Sequence, residues 1–243
     1  MIKVVFFDLG DTLCDYQAAA EAAIDTACDY AVSHAESLNA TGLHEAYVRE
    51  AGHMAEETRR WTASRFATGS GLDEQGYRLW ERALEKCGVA NPILSHAVAL
   101  HYQLSRMRTL QLFPDARPAL QALHGRARVG LVAEGSSGIV NEELALLGIR
   151  ELFSLTVIEG EAGYAKGDPQ LLAFALREAE CEPAEAAYVG DSLERDVAPA
   201  REAGLVTVWV NRNGEEAVGA DLPPPDHVVD SLEPVPDLLL SQT

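Results

Sequence analysis

The chain has 243 residues, 47% apolar and 23% charged, a globular balance with enough length for one core plus an insert. Its net charge is -19, from 38 acidic against 19 basic residues, and its lysines are Lys3, Lys86 and Lys166. Such a field repels polyanions, so nucleic acid is not an expected partner, and no apolar run approaches the roughly 20 residues that a bilayer span needs.

The predicted elements alternate in texture along the chain. Residues 4–9, VVFFDL, are a continuous apolar run rich in β-branched and aromatic residues, which predicts a buried parallel strand. From about Tyr16 to Met107 the apolar positions fall at helical spacing, clearest in AAAEAAIDTACDYAVSHAESL. Breaks near Asn39–Gly42, Gly69–Gly71 and Gly88–Pro92 divide this stretch into about four helices without a strand. A helix from about Asp115 to Leu123 then leads to the strand VGLVA (129–133). The turn EGSSG opens a helix through Leu147. The strand LTVI (155–158), a loop to Lys166, the helix 170–180, the strand AAYVG (186–190) and a helix from about Glu194 to Glu202 follow. The strands VTVWV (206–210) and HVV (227–229) and a last short helix close the chain. Strands alternating with helices predict a parallel sheet covered on both faces, and the helical block after the first strand reads as an insert.

In such a sheet, ligands bind beyond the carboxyl ends of the strands. Asp8 ends the first strand, Asp191 follows AAYVG, Asp196 lies five residues further on, and Lys166 sits in the loop after LTVI. Carboxylates gathered there suit Mg²⁺, a hard cation that prefers oxygen ligands. The metal would offset the acids and let an anionic substrate approach.

Four segments carry a resemblance. In order, FFDLGDTL, VGLVAEG, GYAKGDP and YVGDSLERDVAPAREAGL resemble the four motifs of the haloacid dehalogenase-like (HAD) superfamily over nearly the whole chain. The resemblance implies a Rossmann-like doubly wound α/β core with an inserted all-α cap of the C1 type. The core would be 1–14 and 112–243, and the cap 15–111. It implies a Mg²⁺-dependent phosphatase acting on a small phosphorylated metabolite. Asp8 would be the nucleophile, forming an aspartyl-phosphate. Asp8, Asp191 and the Gly10 carbonyl would hold Mg²⁺, with Asp196 supporting, and Lys166 would hold the phosphate. Glu134, Gly135 and Ser136 stand in the second-motif loop expected to bind it. Arg59 and Arg60, in the cap segment RRWTASR with Trp61 and Arg65, are candidate substrate-gripping residues. A solvated helix face, with Trp61 in the cap core, is the plainer reading of that segment.

The chain departs from the family pattern twice. The phosphatases carry a proton-transferring aspartate two residues after the nucleophile, where this chain has Gly10; Asp11 reads as a turn carboxylate rather than its replacement. The second motif usually supplies Ser or Thr to the phosphate, where this chain has Ala133, followed by Glu134. A shifted Ser136 or Ser137 hydroxyl, or backbone amides of the turn, would have to serve instead. These departures keep two alternatives open. One is a degenerate member that binds a phosphorylated ligand or a protein partner. The other is C–X bond hydrolysis of the dehalogenase or phosphonatase kind. The retained GDSLERD argues against a metal-free dehalogenase. A phosphonatase needs a cap lysine, and Lys86 reads as a helix-end lysine.

Smaller features carry less. Cys14, Cys28, Cys87 and Cys181 have no CxxC spacing, which indicates neither zinc nor a redox pair. Cys14 reads as a packing residue beside the first motif. His53, His96 and His101 have no ligand spacing. Met1 leads straight into a strand with no secretion signal, so a cytoplasmic monomer or homodimer is expected.

Overall fold

The protein was analysed as a computed structural model that describes residues 1–60, 74–214 and 222–240; the side chains of 55–60, 74 and 75 are also outside the description. The chain divides into two compact units, Met1–Asp15 with Gln111–Thr243, and Tyr16–Leu110.

The first unit begins with β1 (Val4–Phe7), whose four side chains are all buried. The second unit holds α1 (Tyr16–His34), α2 (Ala40–Arg60), α3 (Glu74–Lys86) and α4 (Pro92–Thr109). Its core packs Trp80, Leu84, Tyr47, Leu43 and Val98 together, with the Tyr47 and Trp80 rings 4.2 Å apart. The start of α4 is set locally. The Asn91 side chain accepts from the Ile93 and Leu94 amides, and Pro92 stands where the helix has no use for its missing N–H. His101 stacks on Tyr30 and His96 lies against Tyr77, so both imidazoles serve aromatic packing. The break expected at Gly69–Gly71 lies outside the described residues.

The rest of the first unit supplies α5 (Ala116–Leu123), β2 (Arg128–Ala133), α6 (Ser137–Leu146), β3 (Leu155–Ile158), α7 (Glu159–Ala162), α8 (Pro169–Glu178), β4 (Ala186–Gly190), α9 (Ala198–Glu202), β5 (Val206–Val210), β6 (His227–Val229) and α10 (Val235–Leu240). The strands form a six-stranded, all-parallel sheet in the order β3-β2-β1-β4-β5-β6. The order reverses between β1 and β4, and in open α/β sheets ligands bind at such a switch point, beyond the carboxyl ends of the strands.

Two elements differ from the sequence reading. The loop before Lys166 contains α7, which ends at Gly163 in the left-handed conformation that glycine adopts without strain. The helix expected from Glu194 is split: a π turn, Leu193–Val197, precedes α9. Both the Asp196 and Val197 amides donate to the Ser192 carbonyl, at 3.0 and 3.1 Å. This widened turn carries Asp196 into the interior, a use typical of π bulges at functional sites.

Candidate active site

Register places the acids. Phe7 pairs with Val189 of β4 and with Leu131 of β2, so Asp8 is the first residue past the strand at the switch point. Its amide still donates to the Val189 carbonyl at 3.0 Å, which fixes the backbone of the carboxylate. Asp191 directly follows β4, and its carbonyl accepts from the Trp209 indole N–H at 2.7 Å. Thr12 Oγ1 donates to Asp191 Oδ1 at 3.3 Å. Asp8, Asp191 and Asp196 each bring an oxygen within 4.8 Å of the others.

Asp196 is fully buried. The Tyr188 hydroxyl donates to its Oδ1 at 3.1 Å, and the Ser192 amide to its Oδ2 at 3.0 Å. Gly190 makes this approach possible, because a Cβ there would lie 2.5 Å from the Asp196 carboxyl carbon. Lys166 reaches the same spot from the far side of the site. Its ammonium pairs with Asp8 Oδ1 and, at 3.0 Å, with Asp196 Oδ1, in a side chain only 4% exposed.

The electrostatics follow from three acids sharing one buried cation. Burial works against the Lys166 ammonium, but the Asp196 and Asp8 carboxylates outweigh it and hold its pKa above the ordinary lysine value. Burial raises Asp8 well above the usual carboxylate range. Lys166 opposes the rise, and Asp196 and Asp191 add to it. Burial, then Asp196, pushes Asp191 up to about 6. The donor set therefore fits a hard divalent cation: it is all oxygen, and it carries excess negative charge that one lysine does not balance.

The second-motif loop is built differently. Ala133 closes β2 opposite Ile158, with its methyl group buried. Glu134 is ion-paired with Arg195, Nη1 to Oε2 at 2.6 Å, so the carboxylate expected beside a phosphate has met a cation. Gly135 takes a positive φ of 101°, and its amide is held by Glu159. Glu159 also accepts the Lys166 amide at 2.8 Å, tying this loop to the lysine loop. Burial raises the Glu159 pKa, against those two amides. Ser136 precedes α6 with extended backbone, and its hydroxyl makes no capping bond.

Other expected residues fall as follows. Gly10 bridges to Cys14. The left-handed backbone of the loop falls on Asp11, at φ 55°, a conformation that aspartate tolerates better than most residues. Cys14 is buried, and its thiol donates to the Leu9 carbonyl. Arg59 and Arg60 end α2, but their side chains lie outside the description, as do Trp61 and Arg65 entirely. Lys86 is exposed in the last turn of α3. Sequence reading missed Arg195, Glu159 and Arg212. Arg195 stood inside the quoted GDSLERD, but nothing in the string pairs it with Glu134. Arg212 donates to the Thr12 carbonyl and, through both terminal nitrogens, to Asp115 at 3.0 Å.

Comparison with known proteins agrees with this geometry. A family model described as haloacid dehalogenase-like hydrolase matches residues 2–204. The chain is similar to the glyceraldehyde 3-phosphate phosphatase of Methanopyrus kandleri, 31% identical over 214 residues, covering 87% of this chain and 85% of the relative. It is similar to the phosphoserine phosphatase of Thermus thermophilus, 31% identical over 224 residues, covering 87% and 89%. Among solved structures, a 2-haloacid dehalogenase from Pseudomonas syringae pv. tomato aligns over 100% of both chains with a TM-score of 0.73 and 26% identity. A magnesium-bound HAD hydrolase from Bacillus subtilis shares the fold at a TM-score of 0.78 over 98% of both chains, with 18% identity. With its family model spanning most of the chain and phosphatase relatives covering nearly nine-tenths of it, this protein belongs to the haloacid dehalogenase-like hydrolases.

Proposed function

We propose that the protein is a Mg²⁺-dependent phosphatase of small phosphorylated metabolites, working through an aspartyl-phosphate on Asp8. The observation that carries the reading is the cluster of Asp8, Asp191 and Asp196 at the switch point, with Asp8 and Asp196 buried and paired with Lys166. A carboxylate that merely displaces halide from carbon needs no cation-binding set of acids beside it. Phosphoryl transfer does, because the group transferred is itself anionic.

Asp8 and Asp191, with the Gly10 carbonyl, would hold the metal, and Asp196 would support it by positioning Lys166. Bound there, Mg²⁺ supplies positive charge that offsets the acids and the phosphoryl oxygens. Asp8 Oδ attacks phosphorus, the bond from phosphorus to the leaving oxygen breaks, and an acyl-phosphate forms on Asp8. Water then cleaves that acyl-phosphate, releasing phosphate and restoring the carboxylate. Lys166, held above its ordinary pKa, stays cationic and does not move the proton.

The proton is the weak point. With Gly10 in place of an acid, a departing alkoxide has no side-chain donor two residues from the nucleophile. General acid–base catalysis is worth roughly 10²–10⁴-fold, so the site should favour leaving groups that need no proton. Aryl and acyl phosphates should outperform sugar phosphates. A sugar phosphate turned over as fast as p-nitrophenyl phosphate would sink this point.

The test is p-nitrophenyl phosphate hydrolysis with and without Mg²⁺. Wild type should turn over only with Mg²⁺. Asp8→Asn should lose on the order of 10⁴-fold or more. Gly10→Asp should gain, by about 10²-fold or more on alkyl phosphates and less on the aryl ester. Activity in Asp8→Asn would overturn the nucleophile assignment. Silence in all three proteins would overturn the phosphatase reading in favour of a ligand- or partner-binding role.

A further inference from the structure

Any anion entering this site meets an excess of negative charge. Asp8, Asp191, Asp196, Glu134 and Glu159 all act on one another or on Lys166. The Lys166 ammonium is buried and already engaged by two carboxylates. Ala133 has no donor in its side chain, and the Gly135 amide is held by Glu159. At positions 133 and 135 the β2 loop thus offers a phosphate no ready donor, which leaves the Ser136 hydroxyl as its side-chain alternative.

Arg195 is the second cation drawn to the cluster among the described residues. Its backbone packs on the lysine turn, where a Cβ on Gly167 would sit 3.7 Å from the Arg195 Cα. Its guanidinium reaches across to Glu134 at 2.6 Å, and both side chains are about half exposed, at 51% and 46%. Arg195 directly precedes Asp196, whose carboxylate shares the Lys166 ammonium with Asp8, so its turn is tied to the reacting carboxylate. A guanidinium has five N–H donors in a planar fork. A half-solvated ion pair is weakly held, so a better anion can displace its carboxylate. Phosphate is such an anion, since it accepts two parallel bonds from arginine.

We infer that Arg195 is a substrate-binding residue that grips the phosphoryl group, and that Glu134 is its resting partner, displaced when the anion arrives. The identity of the anion as phosphate rests on the phosphatase reading. The ion pair then acts as a small electrostatic gate. It keeps the guanidinium aimed across the β2 loop and makes each binding event compete with Glu134. Arg195 thereby takes over the gripping role that a hydroxyl at position 133 would otherwise fill.

The test measures inorganic phosphate affinity by calorimetry in Mg²⁺, together with KM and kcat for p-nitrophenyl phosphate. Arg195→Gln should raise the phosphate Kd and the KM about tenfold or more, with a smaller change in kcat. Arg195→Lys should recover part of the loss. Glu134→Gln should do the opposite and tighten phosphate severalfold, because the competing carboxylate is gone. Ala133→Thr, which restores a hydroxyl, should rescue Arg195→Gln more than it improves wild type.

A purely structural ion pair predicts otherwise: both variants would lose thermal stability together, and neither would tighten phosphate. If wild type hydrolyses the ester and Arg195→Gln leaves Kd and KM unchanged, or if both single variants weaken phosphate equally, the inference is overturned while the phosphatase reading stands. If no hydrolysis occurs but phosphate binding still weakens in Arg195→Gln and tightens in Glu134→Gln, the phosphatase reading falls and the anion site stands. Absence of both hydrolysis and phosphate binding overturns both.

Discussion

Two neighbouring ends of the same sheet are built to opposite rules. Past β1 and β4, Asp8 and Asp196 are buried, and Tyr188, Ser192 and Lys166 between them engage the Asp196 oxygens. Past β2, Glu134 and Arg195 stand half in solvent and hold only a surface-type ion pair. The difference follows from dielectric. Charges in the interior must be matched partner by partner, since an unmatched one costs several kcal/mol. Charges at the rim are screened, so that loop can change residues at little cost to the fold. Of the departures from the family pattern, Glu134 lies at this rim, whereas Ala133 is buried at the end of β2 and Gly10 stands two residues past Asp8; the buried cluster itself keeps its acids and lysine.

The largest break in that contrast should come from Lys166→Met. It leaves Asp8 and Asp196 facing each other without their cation, and the fold should lose about 3–5 kcal/mol in urea unfolding. Millimolar Mg²⁺ should return part of the loss, and chelation should remove it again. A stability loss below about 1 kcal/mol would mean that the buried network tolerates an unpaired site.

Gly190→Ala attacks the same cluster by volume rather than charge. The new methyl would overlap the Asp196 carboxylate, so about 1–3 kcal/mol of stability should go, together with hydrolytic activity. Unchanged unfolding would show that Asp196 has room to move.

Asp115→Asn tests whether well-matched ion pairs outside the cluster behave alike. Asp115 accepts both terminal nitrogens of Arg212 and the Leu232 amide. Burial alone would raise its pKa, but these bonds outweigh it and hold the carboxyl below its ordinary value. A depressed pKa contributes stability that is present above the unfolded carboxylate range, near pH 4, and is lost as pH falls through the folded value. The variant should therefore be about 2 kcal/mol less stable at pH 7 and show a flatter acid limb. A parallel acid limb in both proteins would overturn this.

Ser136→Ala should do least. Its hydroxyl caps nothing in α6, so the usual helix-cap loss of about 1 kcal/mol should not appear, and KM should change less than about twofold. A KM rise of fivefold or more would instead make Ser136 the phosphate hydroxyl of the β2 loop and weaken the case for Arg195.

Much of the frame was legible in the string. The strands LTVI, AAYVG, VTVWV and HVV fall on β3, β4, β5 and β6 residue for residue, because a short apolar run bounded by turn residues has few other ways to be buried. Asp8, Asp191, Asp196 and Lys166 were readable as strand-end residues, and parallel topology then brings strand ends to one edge. Less was readable at the loops. The π turn that aims Asp196 inward depends on Ser192 accepting two amides, and nothing in LERDV announces it. Nor does the string say that Asp11 takes the left-handed backbone beside a glycine that is free to do so.

Sequence alone therefore determined the alternation of strand and helix, the inserted helical stretch and which acids lie at strand ends, since these rest on local periodicity and chain order. Tertiary structure decided which charges became partners. Lys166 with Asp196, Arg195 with Glu134, and Arg212 with Asp115 are separated by 30, 61 and 97 residues. Pairing over such distances has no local signature. It appears only once packing has removed water and each buried or crowded charge must find its match in space.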